Sequence, residues 1–203
     1  MSIKDMKAMN NRFYWLGLIM LLLLAACQFG SYGPSEYLAY VNDPSNGFLQ
    51  TKSVQKLKVS LQHRPPAYQQ ALALSRGRQV SESETKGEFY LLRLEGMDPE
   101  QGNLMQLALN TPEQLNTRQQ FLLFQLKDYV SLVCGGDTLQ CQFHHLEQNH
   151  GLTPFIDIHL GFPPGTPNCD RQIIIHELSY NTGTLKFRFP QHIYQNPPKL
   201  QIQ

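Results

Sequence analysis

The sequence predicts a mainly β protein, an antiparallel β-sandwich of immunoglobulin-like or Greek-key type with one or two short edge helices. Near the C terminus, apolar Ile156, Ile158 and Leu160 alternate with polar residues or glycine, and apolar residues alternate with basic ones over 185–189. Short strand-like runs recur at near-regular spacing, separated by glycine, proline or asparagine. The long connections between these runs favour Greek-key topology.

The N-terminal half of this domain contains two predicted strands and a helix. Over 56–62, leucine and valine alternate with polar side chains, which predicts a strand with one solvated face. A short helix is predicted over 66–75, because a proline pair opens it and Gly77 lies where a left-handed cap is needed. Residues 79–87 are polar and predict a solvated loop, whereas the apolar run 89–94 predicts a more buried strand.

A further helix is predicted to begin in the middle of the chain. Thr111 and Gln114 match a capping box, and Pro112 occupies the first helical position. We expect this helix to end near Gln120. The apolar run 121–124 that follows fits either the end of a buried helix or the start of a strand.

The remaining signals are those of strands. Residues 129–133 and 139–143 are rich in aromatic, β-branched and apolar side chains and flank Gly135-Gly136, which predicts a β-hairpin with a two-residue turn. Three consecutive isoleucines at 173–175 predict another buried strand.

The N terminus has the three-part pattern of an export signal. Basic Lys4, Lys7 and Arg12 precede an apolar run over 13–24, and small residues then lead to Cys27. The apolar run is too short to cross a bilayer, because a spanning helix needs about 20 apolar residues.

The sequence Leu-Ala-Ala-Cys at 24–27 resembles the bacterial lipobox. The resemblance implies cleavage before Cys27 and a diacylglyceryl group on its sulfur, so that lipid holds the mature chain at the membrane. Residues 1–26 are then a signal peptide, and 27–35 a flexible tether rich in small residues. Residues 36–203 have the length of a single β-sandwich domain.

Composition narrows the classes of partner. The 203-residue chain has a formal net charge of +1, and its charge distribution lacks the basic excess typical of nucleic-acid binding, so no nucleic-acid partner is expected. The single tryptophan, Trp15, lies in the predicted signal peptide. A sugar-binding platform would therefore have to use tyrosine or phenylalanine.

The cysteines that remain after Cys27 allow several pairings in an exported compartment. The predicted hairpin places Cys134 opposite Asp137 and Cys141 opposite Val130, so the two cysteines do not face each other across it. Three alternatives are consistent with the sequence: a Cys141–Cys169 bond, a Cys134–Cys141 bond across a longer loop, or three free thiols. We expect at most one disulfide.

The candidates for a metal site are His145, Glu147 and His150. Neighbouring residues of a strand point to opposite faces, so His144 and His145 cannot share a metal, whereas His145 and Glu147 can lie on one face. We favour a simpler interpretation, in which these residues form the polar end of a hairpin. The chain has no constellation that predicts catalytic residues, and neither enzyme activity nor a cofactor is expected.

Two proline-rich loops are the predicted partner surface. Phe162 begins the loop over 162–167, and Tyr194 lies in the loop over 192–198. An aromatic side chain beside rigid proline loses little conformational entropy on binding. Phe162 and Tyr194 are therefore the candidate contact residues for a partner. We favour the simpler interpretation, in which each is an aromatic side chain that covers an ordinary rigid loop.

The mature chain also resembles uncharacterised lipoproteins of Bacteroidetes bacteria, through residues 37–61 with their turn at 42–47, the strand 183–189 and Pro197-Pro198. The resemblance implies an anchored domain on the outer membrane, at its periplasmic or its surface face, and no functional residues. The expected function is that of a non-enzymatic envelope lipoprotein, either a protein-interaction or a structural subunit. The alternatives are a lipoprotein that binds a small ligand or glycan and, last, a metal-dependent hydrolase.

Overall fold

The computed structural model describes residues 31–78, 87–98, 102–148, 153–165 and 168–202. The strands are β1 (Ser31–Tyr32), β2 (Leu49–Val54), β3 (Leu57–Arg64), β4 (Glu88–Gly96), β5 (Val130–Cys134), β6 (Asp137–Gln140), β7 (Phe143–Leu146), β8 (Phe155–Phe162), β9 (Arg171–Ile175), β10 (Leu185–Phe189) and β11 (Lys199–Leu200). The α-helices are α1 (Pro34–Asn42), α2 (Ala67–Ser75), α3 (Pro112–Gln120) and α4 (His192–Gln195). Within these ranges no helix is long and apolar enough to cross a membrane.

Two antiparallel sheets form a β-sandwich, which confirms the predicted fold class. One sheet has the strand order β2-β3-β4-β8-β7, and the other has the order β10-β9-β5-β6. The chain passes from one sheet to the other between β4 and β5, between β6 and β7, and again between β8 and β9. The crossover from β4 to β5 is long and contains α3, whereas Cys141 and Gln142 alone connect β6 to β7.

The hydrophobic core lies between the two sheets and is closed at one side by the segment after α3. In β3, Leu57, Val59 and Leu61 are at most 2% exposed, and they share one core cluster with Phe187 and Phe189 of β10. Full burial of each such side chain contributes about 1.5–3 kcal/mol to stability. The alternation that predicted these strands is therefore the alternation of core and outer faces.

The segment after α3 shows how tertiary packing decides an ambiguous run. The capping box at Thr111 and Gln114 is present, and α3 ends at Gln120 as predicted. The chain then continues as a π-helical turn over Phe121–Gln125 and a 3-10 turn over Leu126–Tyr129. Leu122 and Leu126 are fully buried, so the widened turn packs the apolar run against the core.

The predicted tether is too long at its C-terminal end. Ser31 and Tyr32 already form β1, which pairs in parallel with β11, and α1 begins at Pro34. The Gln201 amide donates a hydrogen bond to the Tyr32 carbonyl (2.8 Å), and the Tyr32 ring lies 5.0 Å from that of Tyr40. Pairing with the distant C-terminal strand orders these small polar residues.

The disulfide joins Cys134 to Cys169, a pairing outside the predicted alternatives. The β5–β9 register places Cys134 opposite Arg171, which brings Cys169, two residues earlier, within a Cα–Cα distance of 5.5 Å. Cys141 is a free, buried thiol that donates to the Phe143 carbonyl (3.1 Å). Burial raises the pKa of Cys141 to about 11, so its thiol is protonated at neutral pH.

Candidate functional site

The candidate site is a groove on the outer face of the five-stranded sheet. Strand pairing places Ser60 beside Arg93, and Arg93 beside Asp157, on the face that points away from the core. Two cavities lie along this face, and Arg64 lines both of them. We call them together the outer-face groove, with a polar half and an apolar half.

The polar half is a cavity of about 390 Å³ over β2, β3 and β4, closed on one side by the ends of α1 and α2. The Gln62 side-chain amide donates to Asn42 Oδ1 (2.6 Å), which also accepts from the Tyr68 hydroxyl (3.2 Å). Lys58 and Glu95 form an ion pair of 3.0 Å along its floor. Hydrogen bonds between elements therefore hold this half in shape.

The apolar half is a cavity of about 300 Å³ between Pro65 and Pro66 on one side and Phe89 and Phe143 on the other. The Phe143 side chain belongs to the edge strand β7 and is 45% exposed, with its ring 6.0 Å from that of Phe89. The Phe143 ring lies over Gly161, where a Cβ atom would overlap it. The absence of a side chain at Gly161 allows Phe143 to lie flat on the sheet.

Two arginines line the groove, Arg93 in its polar half and Arg64 in both halves. The Arg93 guanidinium donates to both oxygens of Asp157 (2.7 and 2.6 Å) and lies 3.9 Å from the Phe155 ring, and its hydrogen bonds to Asp157 raise its pKa. Burial lowers the pKa of Arg64, and no carboxylate among the described residues lies within salt-bridge distance of it. Arg64 is therefore the cation that this groove offers to a partner.

The structure does not bring the predicted metal candidates together as one group of ligands. His145 faces the groove opposite His159, with ring centroids 6.3 Å apart, and Glu147 bonds to Nε2 of His159 (2.6 Å). His150 lies outside the described residues. Over the described part of the chain, no three histidine, cysteine or acidic side chains are grouped so as to hold a metal ion. The Nε2 atom of His144 lies 3.0 Å from the Leu122 carbonyl on the other face, as the alternation predicted.

The two predicted contact residues lie elsewhere. Phe162 is 2% exposed and packs edge-on against Tyr90, with ring centroids 5.7 Å apart, so it cannot serve as an exposed contact residue. It is the last residue of β8 and continues the inward-facing alternation of that strand, and the proline-rich loop begins only after it. The Tyr194 hydroxyl bonds to the Tyr90 hydroxyl (2.9 Å), so its polar end also points inward.

Beneath this surface a buried ion pair joins the two sheets. Arg171 at the start of β9 donates to Glu88 of β4 at 2.8 Å, and their side chains are 3% and 9% exposed. The Tyr90 hydroxyl donates to Glu88 (3.0 Å), so the Tyr194 hydroxyl donates in turn to Tyr90. The Arg171 guanidinium lies 4.0 Å from the centre of the Tyr194 ring. This network holds Tyr194 in a structural role.

Cys27 lies outside the described residues, and lipidation there stays a prediction. Comparison of the chain with protein-family models, with curated proteins and with solved structures finds no match. The contact between Phe143 and Gly161 was not predicted from the sequence. Gly161 within an alternating strand is the signal that could have indicated it, because such a glycine often marks the close approach of another group.

Proposed function

We propose that this protein is a non-enzymatic lipoprotein of the bacterial envelope, anchored in the outer membrane by lipid on Cys27, that binds another envelope protein through the outer-face groove. The exposed Phe143, which lies over Gly161 in an apolar cavity that Arg64 also lines, is the observation that carries the proposal. The domain acts as a binding subunit, and lipid on Cys27 keeps it at the membrane.

The groove has the composition of a protein interface. Such interfaces place aromatic side chains and arginine around an apolar centre and keep charged residues at the rim. Here Phe89 and Phe143 form the centre, and Arg64 lies beside them with no acidic partner within salt-bridge distance in the described ranges. An acidic group beside an apolar side chain of the partner would satisfy both features.

The outer face of the sheet supplies part of the area that an interface needs. Five strands at about 4.8 Å spacing span about 19 Å, and their mean length of seven residues extends about 23 Å, which gives about 440 Å² of flat sheet. A standard interface takes roughly 800 Å² from each partner, so a partner of that size also contacts the adjoining elements.

The test is affinity purification of the C-terminally tagged full chain from native membranes in mild detergent. We expect a stoichiometric envelope protein with the wild type and a loss of at least tenfold with Phe143→Ser. Phe124→Ser is the matched control, because Phe124 is 62% exposed and does not line the groove. Equal recovery of the partner with both variants, or recovery of the chain alone, would contradict the proposal.

Membrane attachment is tested separately. Mass spectrometry of the N-terminal peptide should find a diacylglyceryl group on Cys27, and Cys27→Ser should release the chain from the outer membrane fraction. An unmodified Cys27 in membrane-bound protein would refute the anchor and leave the groove proposal standing.

A further inference from the structure

Another cavity lies away from the outer-face groove, at the turn between β2 and β3. Its volume is about 710 Å³, larger than either half of the groove. The hairpin tip at Gln55 and Lys56, the segment 107–109, helix α3 and the loop 179–181 surround it. The six residues of β2 separate this tip from the end of the sheet beside α1, a distance of about 20 Å.

Among the charged residues that line this cavity, Arg118 is the buried one. It is 4% exposed, and its guanidinium lies 4.0 Å from the centre of the Tyr180 ring. Nε donates to the Ser179 carbonyl (3.0 Å), and Nη1 donates to the carbonyls of Met105 (3.0 Å) and Leu107 (2.8 Å). Arg118 thus joins α3 to two loops.

The charge of Arg118 has no counter-ion within salt-bridge distance in the described ranges. Backbone carbonyls and an aromatic ring offset part of the cost of burying a guanidinium, but they carry no formal charge. Three of the five guanidinium N–H groups bond to backbone carbonyls and a fourth can bond to the Tyr180 side chain, which leaves one N–H of Nη2 for a ligand in the cavity that Arg118 lines. Lys56 and Glu113 also line it, and both are exposed. A buried cation with a free donor is what an anionic ligand requires.

The rim of the cavity has an unusual backbone conformation. Gln55, Ala108, Ser179 and Asn181 have φ values of 52°, 56°, 62° and 55°, and no other non-glycine residue in the described ranges has a positive φ. All four line this cavity. Such conformations are unfavourable for residues with a side chain and concentrate at ligand sites, where the surrounding structure maintains them. The Gln55 side-chain amide donates to the Asn181 carbonyl and so joins two parts of the rim.

Apolar side chains form much of the wall. Leu57 and Tyr180 are 2% and 6% exposed, and Leu107 and Leu109 are half-buried. We propose that this cavity binds a small organic carboxylate, which accepts a hydrogen bond from Arg118 Nη2 while its apolar body lies against Leu107, Leu109 and Tyr180. The cavity volume is within the range of small-molecule sites. The carboxylate belongs either to a free metabolite or to the C terminus of a peptide.

The probes are N-acetyl-leucine, which has the carboxylate of a peptide C terminus, and hexanoate, which represents a free acid. Binding to the full chain in mild detergent is measured by titration calorimetry, with detergent alone as the blank. We expect at least one of the acids to bind at least tenfold more tightly than its neutral amide, N-acetyl-leucinamide or hexanamide. Equal affinity for each acid and its amide, or no saturable binding of either acid, would overturn the proposal.

Variants locate the site. Thr117→Trp fills the cavity from an exposed position of α3 and should weaken binding at least tenfold, whereas Asn116→Trp, exposed on the same helix but not lining the cavity, should stay within twofold of the wild type. Arg118→Gln should also weaken binding at least tenfold. If Arg118→Gln unfolds, the Thr117→Trp variant tests the location of the site. Unchanged binding of the probes to Thr117→Trp would refute the assignment of this cavity as the binding site. Phe143→Ser should bind the probes as the wild type does, which separates this site from the outer-face groove.

Discussion

The buried pair of Glu88 and Arg171 makes a quantitative prediction about how the two sheets are held together. Glu88→Gln keeps the shape of the side chain but leaves the charge of Arg171, whose side chain is 3% exposed, without its partner. The substitution also weakens charge-assisted hydrogen bonds of 2.8 and 3.1 Å from Arg171 and one of 3.0 Å from Tyr90. Breaking a buried pair on one side costs about 3–5 kcal/mol.

For a chain of this length, that loss corresponds to a fall in Tm of about 6–20 °C. The assay is thermal unfolding of the full chain in mild detergent, followed by near-ultraviolet circular dichroism. Arg171→Met should cost a similar amount, whereas the double variant should be more stable than the sum of the single effects implies, by about 2 kcal/mol or more. Arg188→Gln, at an ion pair whose side chains are 73% and 40% exposed, is the control and should change Tm little. Single variants no less stable than Arg188→Gln would refute the assignment of the buried pair as the link between the sheets.

Three further predictions concern stability and the groove. Reduction of the disulfide between Cys134 and Cys169, which are 35 residues apart, should lower the free energy of unfolding by about 3–4 kcal/mol, measured by urea titration with and without reductant. Burial and the nearby Arg171 lower the pKa of His63 from 6.5 to about 3, so the unfolded chain binds a proton that the folded chain excludes. Stability should therefore fall as the pH decreases from about 6.5 towards 3, and His63→Phe should make the slope of unfolding free energy over pH 4–6 shallower by about 1.4 kcal/mol per pH unit. Gly161→Ala should displace the ring over it, lower stability by about 1–3 kcal/mol and weaken capture of the partner, as compared in parallel melting and purification experiments.

Each of these three has an outcome that contradicts it. Identical urea midpoints in the oxidised and reduced protein would show that the disulfide does not constrain the unfolded chain. A pH slope unchanged by His63→Phe would place the acid sensitivity in carboxylates instead. Full partner capture by Gly161→Ala would mean that the flat position of the ring does not matter for binding.

Elements whose signal lies within a few residues were predictable from the sequence. The capping box of α3 at Thr111 and Gln114 needs only residues three apart, and the turn at Gly135-Gly136 needs only two glycines with positive φ. The strand at 185–189 alternates strictly between buried and exposed residues, as its hydrophobic pattern predicted. In each case the local chemistry and the tertiary environment favour the same conformation.

Contacts between residues far apart in the chain could not be predicted from local sequence patterns. Cys134 meets Cys169 only because β5 pairs with β9, and Phe143 lies flat only because Gly161 occupies the neighbouring strand. Arg118 belongs to a polar helix, where arginine is usually solvated, yet two loops bury it. Periodicity reports which face of its own element a residue occupies, whereas the energy of a contact depends on the group that the fold places opposite that face.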